Sequence, residues 1–287
     1  MLKRTIFLIL LAISVRPALA EPALWQVDTP QGRLWLLGSI HVGKRDSSDQ
    51  LKAVADRLPQ VHTLVQELAP EQMTLQPMQA AIMAYGVIKD GSLKDQLSPK
   101  AYQQIAQMAG DYQLPMAQLD RMRPWFVMMT LMQSALARHH FDPRLGIDNQ
   151  MLAIARQRGW QLHGLESVDR QFQALSSTDS YADQMVQDSA KEMDGLDDTL
   201  TPMLAAWGQG QLGKLGDLCP LSQGQGPAYQ AMHDATLKAR NHEWLPKLAD
   251  IAKGSDSLVV VGLGHIICQD GLLKLLAAQG DKVVRLQ

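Results

Sequence analysis

Leu34-Trp35-Leu36-Leu37-Gly38-Ser39-Ile40-His41 is an apolar run that ends in Gly-x-x-His, and Leu258-Val259-Val260-Val261-Gly262-Leu263-Gly264-His265 repeats the pattern near the other end of the chain. A strand with both faces buried reads as a continuous apolar run. A glycine at its end permits a tight turn and close backbone approach. Side chains just past such a turn enter the crevice at the carboxyl edge of an open α/β sheet, where ligands bind. If both runs lie in one sheet, two imidazoles 224 residues apart meet at that edge. In a chain with 21 Gly and 8 His, chance alone gives about 0.6 matches to so short a motif, so two matches after apolar runs are a modest signal. The residues alone leave a second reading open: ordinary strand-end glycines, each followed by a histidine satisfied by backbone.

The first residues carry a different signal. Met1-Leu2-Lys3-Arg4 precedes an apolar run from Thr5 to Val15 and then Pro17-Ala18-Leu19-Ala20. This is the pattern of a secretory signal peptide over 1–20, cleaved after Ala20. The run is too short to span a membrane, and no later stretch is long and uninterrupted enough to anchor the chain. The expectation is a soluble, exported protein of periplasmic type, with 21–287 forming a single α/β domain. Without the leader the chain holds 24 Lys and Arg against 29 Asp and Glu, a net −5. That balance argues against a general nucleic-acid binder. The 46% apolar content suffices for a core and argues against disorder. The two cysteines, Cys219 and Cys268, read as a disulfide in an oxidising compartment; two separate buried thiols are the alternative.

Strands are expected over 23–27 and 33–37 around the turn Thr29-Pro30-Gln31-Gly32. A helix over 50–57 follows the N-cap residues Asp46-Ser47-Ser48-Asp49, and a strand over 61–68 ends in Gln66-Glu67-Leu68, completing a βαβ unit. Residues from about 70 to 142 read as helices, with Ser98-Pro99 and Pro124 marking starts. The methionines of this region, Met73 to Met132, read as core filler or as an adaptable groove for extended peptides. Gly146-Ile147-Asp148 opens a helix that ends at Gly159. A strand over 160–165 runs into Gly164-Leu165-Glu166. Helices over 178–206 and 226–252, a strand over 257–262, a helix over 270–279 and a strand over 282–286 complete the chain. The pattern predicts an α/β fold: a mixed central β-sheet flanked by helices, with a largely helical insertion at about 70–142.

Histidine and carboxylate ligands suit Zn, Mn, Co or Fe, with Mn, Co or Zn the expected cofactor, and three protein ligands plus an open position make a hydrolytic site. His41, Glu67 and His265 are the natural trio, all at strand ends. Glu166 and Asp148 are spare carboxylates for proton transfer or for outer contacts to the ligands. Arg240 is placed to stabilise an oxyanion. Glu67 and Glu166 each also read as helix caps or surface ion pairs. The sequence holds no His-Glu-x-x-His helix, no Gly-x-Ser-x-Gly elbow and no P-loop.

Trp35 to Gly43, the strand end Glu67-Leu68, Gly146-Ile147-Asp148, Gly164-Leu165-Glu166-Ser167-Val168 with Gln171, Arg240-Asn241, and Val261 to His265 form an ordered set. Together they resemble the TraB/PrgY/GumN family, which includes the Tiki-type metalloproteases. The resemblance implies an α/β fold similar to the erythromycin esterase/ChaN-like group. It makes His41 and His265 the motif histidines, Glu67 the strand-end acid and Arg240 the family arginine. The resulting expectation is an exported divalent-metal-dependent hydrolase, a peptidase acting on extended peptide or protein substrates. Glu67, Glu166 and Arg240 would be catalytic. No nucleic-acid partner is expected, and no membrane span after signal cleavage. The alternative is a non-catalytic periplasmic binding protein for haem, a metal or a signalling peptide.

Overall fold

The two Gly-x-x-His strands are direct neighbours. The computed structural model describes residues 21–216, 219 and 226–286; the expected signal peptide, 1–20, lies outside the described residues. The strands are β1 (Leu24–Asp28), β2 (Arg33–Ser39), β3 (Thr63–Leu68), β4 (Gln161–Glu166), β5 (Ser257–Gly262) and β6 (Lys282–Arg285). They form one sheet in the order β4-β3-β5-β2-β1-β6. β4, β3, β5 and β2 run parallel, and β1 is antiparallel to β2 and β6. The mixed sheet with its helices is the α/β architecture that the patterning predicts.

Position in the sheet follows side-chain chemistry. β5 is apolar on both faces and buried along its whole length, so it lies in the interior. β6 carries Lys282 and Arg285 and is mostly exposed, which suits an edge strand. β2 continues through α1 (Ser48–Asp56) into β3, yet β5 inserts between β2 and β3 rather than leaving them paired. The register sets Gly38 opposite Val261 and Ser39 opposite Gly262. Both motifs therefore leave the sheet at the same edge. Gly38 is required by close approach, because a Cβ there would lie 2.2 Å from Leu263 Cδ1 and 3.1 Å from its Cα.

Between β3 and β4 the chain is helical: α2 (Leu75–Ala81), α3 (Leu93–Gln96), α4 (Pro99–Asp111), α5 (Met116–Leu119), α6 (Pro124–Arg138) and α7 (Ile147–Gln157). Ser98 caps α4 by accepting from Ala101 N, with Pro99 in the first turn. After β4 come α8 (Val168–Ser176), α9 (Ala182–Asp194), α10 (Leu196–Gly208), α11 (Pro227–His233) and α12 (Ala239–Ala252). The last helices are α13 (Leu263–Ile267) and α14 (Leu272–Ala278). Val186, Met193 and Leu196 of α9 and α10 join Ile105, Met108 and Leu131 in a second apolar core, separate from the one against the sheet. The helical layer thus draws on two stretches of chain, not on 70–142 alone. Met108 and Met128 are core filler, whereas Met73 and Met83 face outward.

Cys219 and Cys268 form the expected disulfide, with Cα atoms 5.5 Å apart. It joins the segment before α11 to the residues just after α13. Among the described residues no helix is long and apolar enough to cross a membrane.

Candidate functional site at the carboxyl edge of the sheet

The β3–β5 ladder ends at Gln66 and Val260, and beyond it a side chain continues the pairing. Glu67 Oε1 accepts from Gly262 N at 2.8 Å. Its Oε2 accepts from Arg240 Nη2 at 2.6 Å and from Gln171 Nε2 of α8 at 3.1 Å. Burial raises the Glu67 carboxyl, but the Arg240 charge, His41 and the Gly262 N–H outweigh it and hold the group far below the ordinary carboxylate range.

His41 follows β2 in a loop that is pinned to the start of α7 by Ile147 N donating to Ile40 O at 2.9 Å. That pin delivers Asp148. His41 Nδ1 lies 3.2 Å from Asp148 Oδ1, and His41 Nε2 lies 3.8 Å from Glu67 Oε1. Burial opposes protonation of His41, but the close contact with the Asp148 carboxylate and the charge of Glu67 prevail and raise it to about 9. Its side chain is still 60% exposed, so it is the reachable member of the cluster. Ser39, His41, Gln66, Glu67, Asp148 and Gln171 line a cavity of about 210 Å³.

Behind this cavity sits Arg240, on α12. Its Nε donates to both Glu166 oxygens at 3.1 and 3.0 Å, and its Nη2 donates to Glu67 and to Glu166 Oε1. Its Nη1 donates to Thr236 O at 2.8 Å and lies 3.0 Å from His265 Nε2. Burial opposes the charge, but Glu67 and Glu166 hold the guanidinium ionised. Burial also pushes the Glu166 carboxyl up, and Arg240 offsets only part of that. The Glu166 side chain is 1% exposed and does not border the cavity.

His265, on α13, is buried and packs on Trp244 with ring centroids 4.3 Å apart. Burial, offset in part by Glu67, lowers its pKa to about 3, so it is neutral. A Cβ on Gly262 would lie 3.2 Å from Glu67 Oε1, 3.2 Å from His41 Nε2 and 3.6 Å from His265 Cδ2. The missing side chain of Gly262 leaves a notch onto which His41 and Glu67 turn polar atoms and His265 turns a carbon edge. The site thus brings His41, Glu67 and His265 to one place, but not as three converging donors. Among the described residues no group of three His, Cys, Asp or Glu side chains is arranged to hold a metal ion. His41 and Glu67 do suit one: their 3.8 Å separation is below the roughly 4.2 Å that two bonds of about 2.1 Å bridge. Asp148 on the far nitrogen of His41 is the usual orienting carboxylate.

Asn241 and Trp244 were not singled out as functional by sequence reasoning. The available signal is spacing on the helix: Trp244 lies four residues after Arg240 and three after Asn241, intervals that bring side chains together on a helix surface.

Stability should peak near neutral pH. His41 is raised from 6.5 to about 9, so its contribution is complete below 6.5 and is lost as pH rises through 9. Glu67 is lowered from 4.5, so its contribution is present above 4.5 and fades as pH falls below it. His265 is lowered from 6.5 to about 3, so the unfolded chain takes up its proton first, and stability drops as pH falls from 6.5 toward 3. Urea midpoints at pH 4, 6.5 and 9 should be highest at 6.5. A midpoint that keeps rising in either direction contradicts these assignments.

A protein described as uncharacterized, from Treponema pallidum (strain Nichols), is 23% identical over 157 residues, covering 54% of this chain and 47% of that protein. The chain thus spans about half the length of this curated relative. No solved structure matches. The model of the TraB/PrgY/gumN family matches residues 23–285, and with the ordered motifs now gathered at one sheet edge, this chain belongs to the TraB/PrgY/gumN family.

Proposed function

We propose that this chain is an exported, divalent-metal-dependent hydrolase, a peptidase whose reacting edge is the Gly262 notch. One observation carries the reading: His41 Nε2 and Glu67 Oε1 face the same small space beside Gly262, and both residues line a cavity on the carboxyl edge of the sheet. The charges support a cation there. With His41 protonated, Arg240 and His41 face Glu67, Glu166 and Asp148, a formal net of −1. Loss of the His41 proton makes it −2. His41 and Glu67 would hold the metal, Mn, Co or Zn by donor type. A bound divalent metal supplies a nucleophilic water at neutral pH and polarises a carbonyl.

The remaining work falls to the chain's own side chains. Asp148 orients the His41 imidazole. Arg240 and Gln171 fix Glu67 Oε2, and Oε1, which also accepts from Gly262 N, is the oxygen turned toward the notch. Glu67, held ionised, binds rather than takes a proton, and Glu166, behind Arg240, holds the guanidinium in place. Gln66 Nε2 donates to Asp148 O at 3.0 Å and so helps hold the start of α7 against the site. Export is supported by the leader-like 1–20 and by the Cys219–Cys268 disulfide, a bond of oxidising compartments. A haem-binding role receives less support, because a cavity of 210 Å³ is below the roughly 300–1,000 Å³ of drug-sized ligand sites.

Metal content of the protein purified without chelators tests the proposal. About one equivalent of Mn, Co or Zn is expected in the wild type and essentially none in His41→Ala, with peptide-library cleavage following the metal. No uptake by the wild type, even after reconstitution with each ion, sinks the proposal.

A further inference from the structure

We propose that His265 is a positioning residue for Arg240 and not a metal ligand, although it closes the second Gly-x-x-His motif. Both of its ring nitrogens are already committed. Asn241 Nδ2 donates to two carbonyls, His265 O at 3.2 Å and Asp270 O at 2.8 Å, which leaves Asn241 Oδ1 as an acceptor. His265 Nδ1 lies 2.7 Å from that oxygen, so Nδ1 carries the ring proton. On the other side, Arg240 Nη1 lies 3.0 Å from His265 Nε2. A guanidinium only donates, so the Nε2 lone pair is the acceptor and points at Arg240. A lone pair engaged by a buried N–H is not available to a metal in the notch, and the ring presents Cδ2 there instead.

The commitment matters to Arg240. Its five N–H groups find Glu166, Glu67, Thr236 O and His265, and none is left over. His265 takes the one that no carboxylate or carbonyl takes. The ring is held against Trp244, and Trp244 also lies under the guanidinium, 5.0 Å from its centroid to Arg240 Cζ. Asn241, His265 and Trp244 thus fix the plane of Arg240, and Arg240 fixes Glu67. His265 acts on the notch through Arg240, at one remove.

Two measurements test this. The first needs no variant and no metal. In ¹⁵N-histidine spectra of the wild-type protein, His265 should show a protonated Nδ1 and an unprotonated, hydrogen-bonded Nε2. A protonated Nε2 overturns the proposal whether or not the protein is a metallohydrolase. The second is binding of Mn²⁺, Co²⁺ and Zn²⁺ to wild type, His41→Gln and His265→Gln, each checked for folding by thermal melting. Glutamine at 265 keeps an acceptor for Arg240. The expected result is unchanged stoichiometry with an affinity loss of about tenfold in His265→Gln, within the range for a residue outside the ligand shell, and no measurable uptake in His41→Gln. Loss of uptake in a folded His265→Gln equal to that in His41→Gln overturns the proposal. If the wild type takes up no metal, the metal reading fails by itself and the tautomer still decides the role of His265.

Discussion

Arg240→Met is expected to destabilise the protein by about 3–5 kcal/mol and to abolish the proposed hydrolysis, the largest stability effect of any single change at the site. The reason is what the change leaves behind. Glu67 and Glu166 are 11% and 1% exposed at the side chain, and both are paired to the same guanidinium. Methionine replaces the aliphatic stem of arginine but ends near the Nε position, and it leaves two buried carboxylates side by side without a counter-charge. Arg240→Lys keeps the charge but loses the planar fork that reaches both acids, so an intermediate loss is expected. The triple variant Arg240→Met, Glu67→Gln, Glu166→Gln removes the charges together. It is expected to regain most of the stability, because buried ion networks are weak contributors to it, and to remain inactive. Chemical denaturation of the three variants gives the test. A loss below about 1 kcal/mol in Arg240→Met would be that of a surface ion pair, and would contradict the burial described here.

Much of this arrangement was legible in the residues, for identifiable reasons. Strand positions follow from apolar runs, and Leu258 to Val261 announce a fully buried strand. That β5 would lie between β2 and β3 was not legible, because strand order depends on contacts between distant segments rather than on any local pattern. His41 and Glu67 were legible as strand-end residues. Asp148 was legible only as a spare carboxylate, since its role depends on the Ile147–Ile40 hydrogen bond that carries α7 to the β2 loop. His265 shows the limit of motif reading. Gly-x-x-His specifies where the imidazole goes but not which way its nitrogens point, and that is decided by Asn241 and Arg240, one turn of a different helix. The helical layer shows a second limit. Val186, Met193 and Leu196 belong to the core of α4 and α6, but amphipathic helices do not reveal from sequence which apolar face they will meet.

Gly262→Ala is expected to leave a folded protein with little or no activity, a combination that separates the notch from the scaffold. The backbone at Gly262, φ −47° and ψ 134°, is open to alanine, so the change costs no conformational strain. The added methyl lies 3.2 Å from both His41 Nε2 and Glu67 Oε1, tighter than an ordinary contact. The two polar atoms must part, or the space between them is filled. Displacement of reacting groups by about 1 Å costs on the order of 10²-fold in rate, and exclusion of a metal costs more. Gly264→Ala is the matched control. Its Cβ would meet Cys268 Sγ at 3.6 Å and Leu237 at 3.6 Å, ordinary contacts away from the notch, so near-wild-type turnover is expected. Thermal melting, metal content and peptide turnover of the pair provide the measurement. If Gly262→Ala keeps metal and turnover, the reacting edge lies elsewhere on the molecule. If it loses both while melting close to the wild type, the effect belongs to the space beside Gly262, because the alanine disturbs no other contact of that kind.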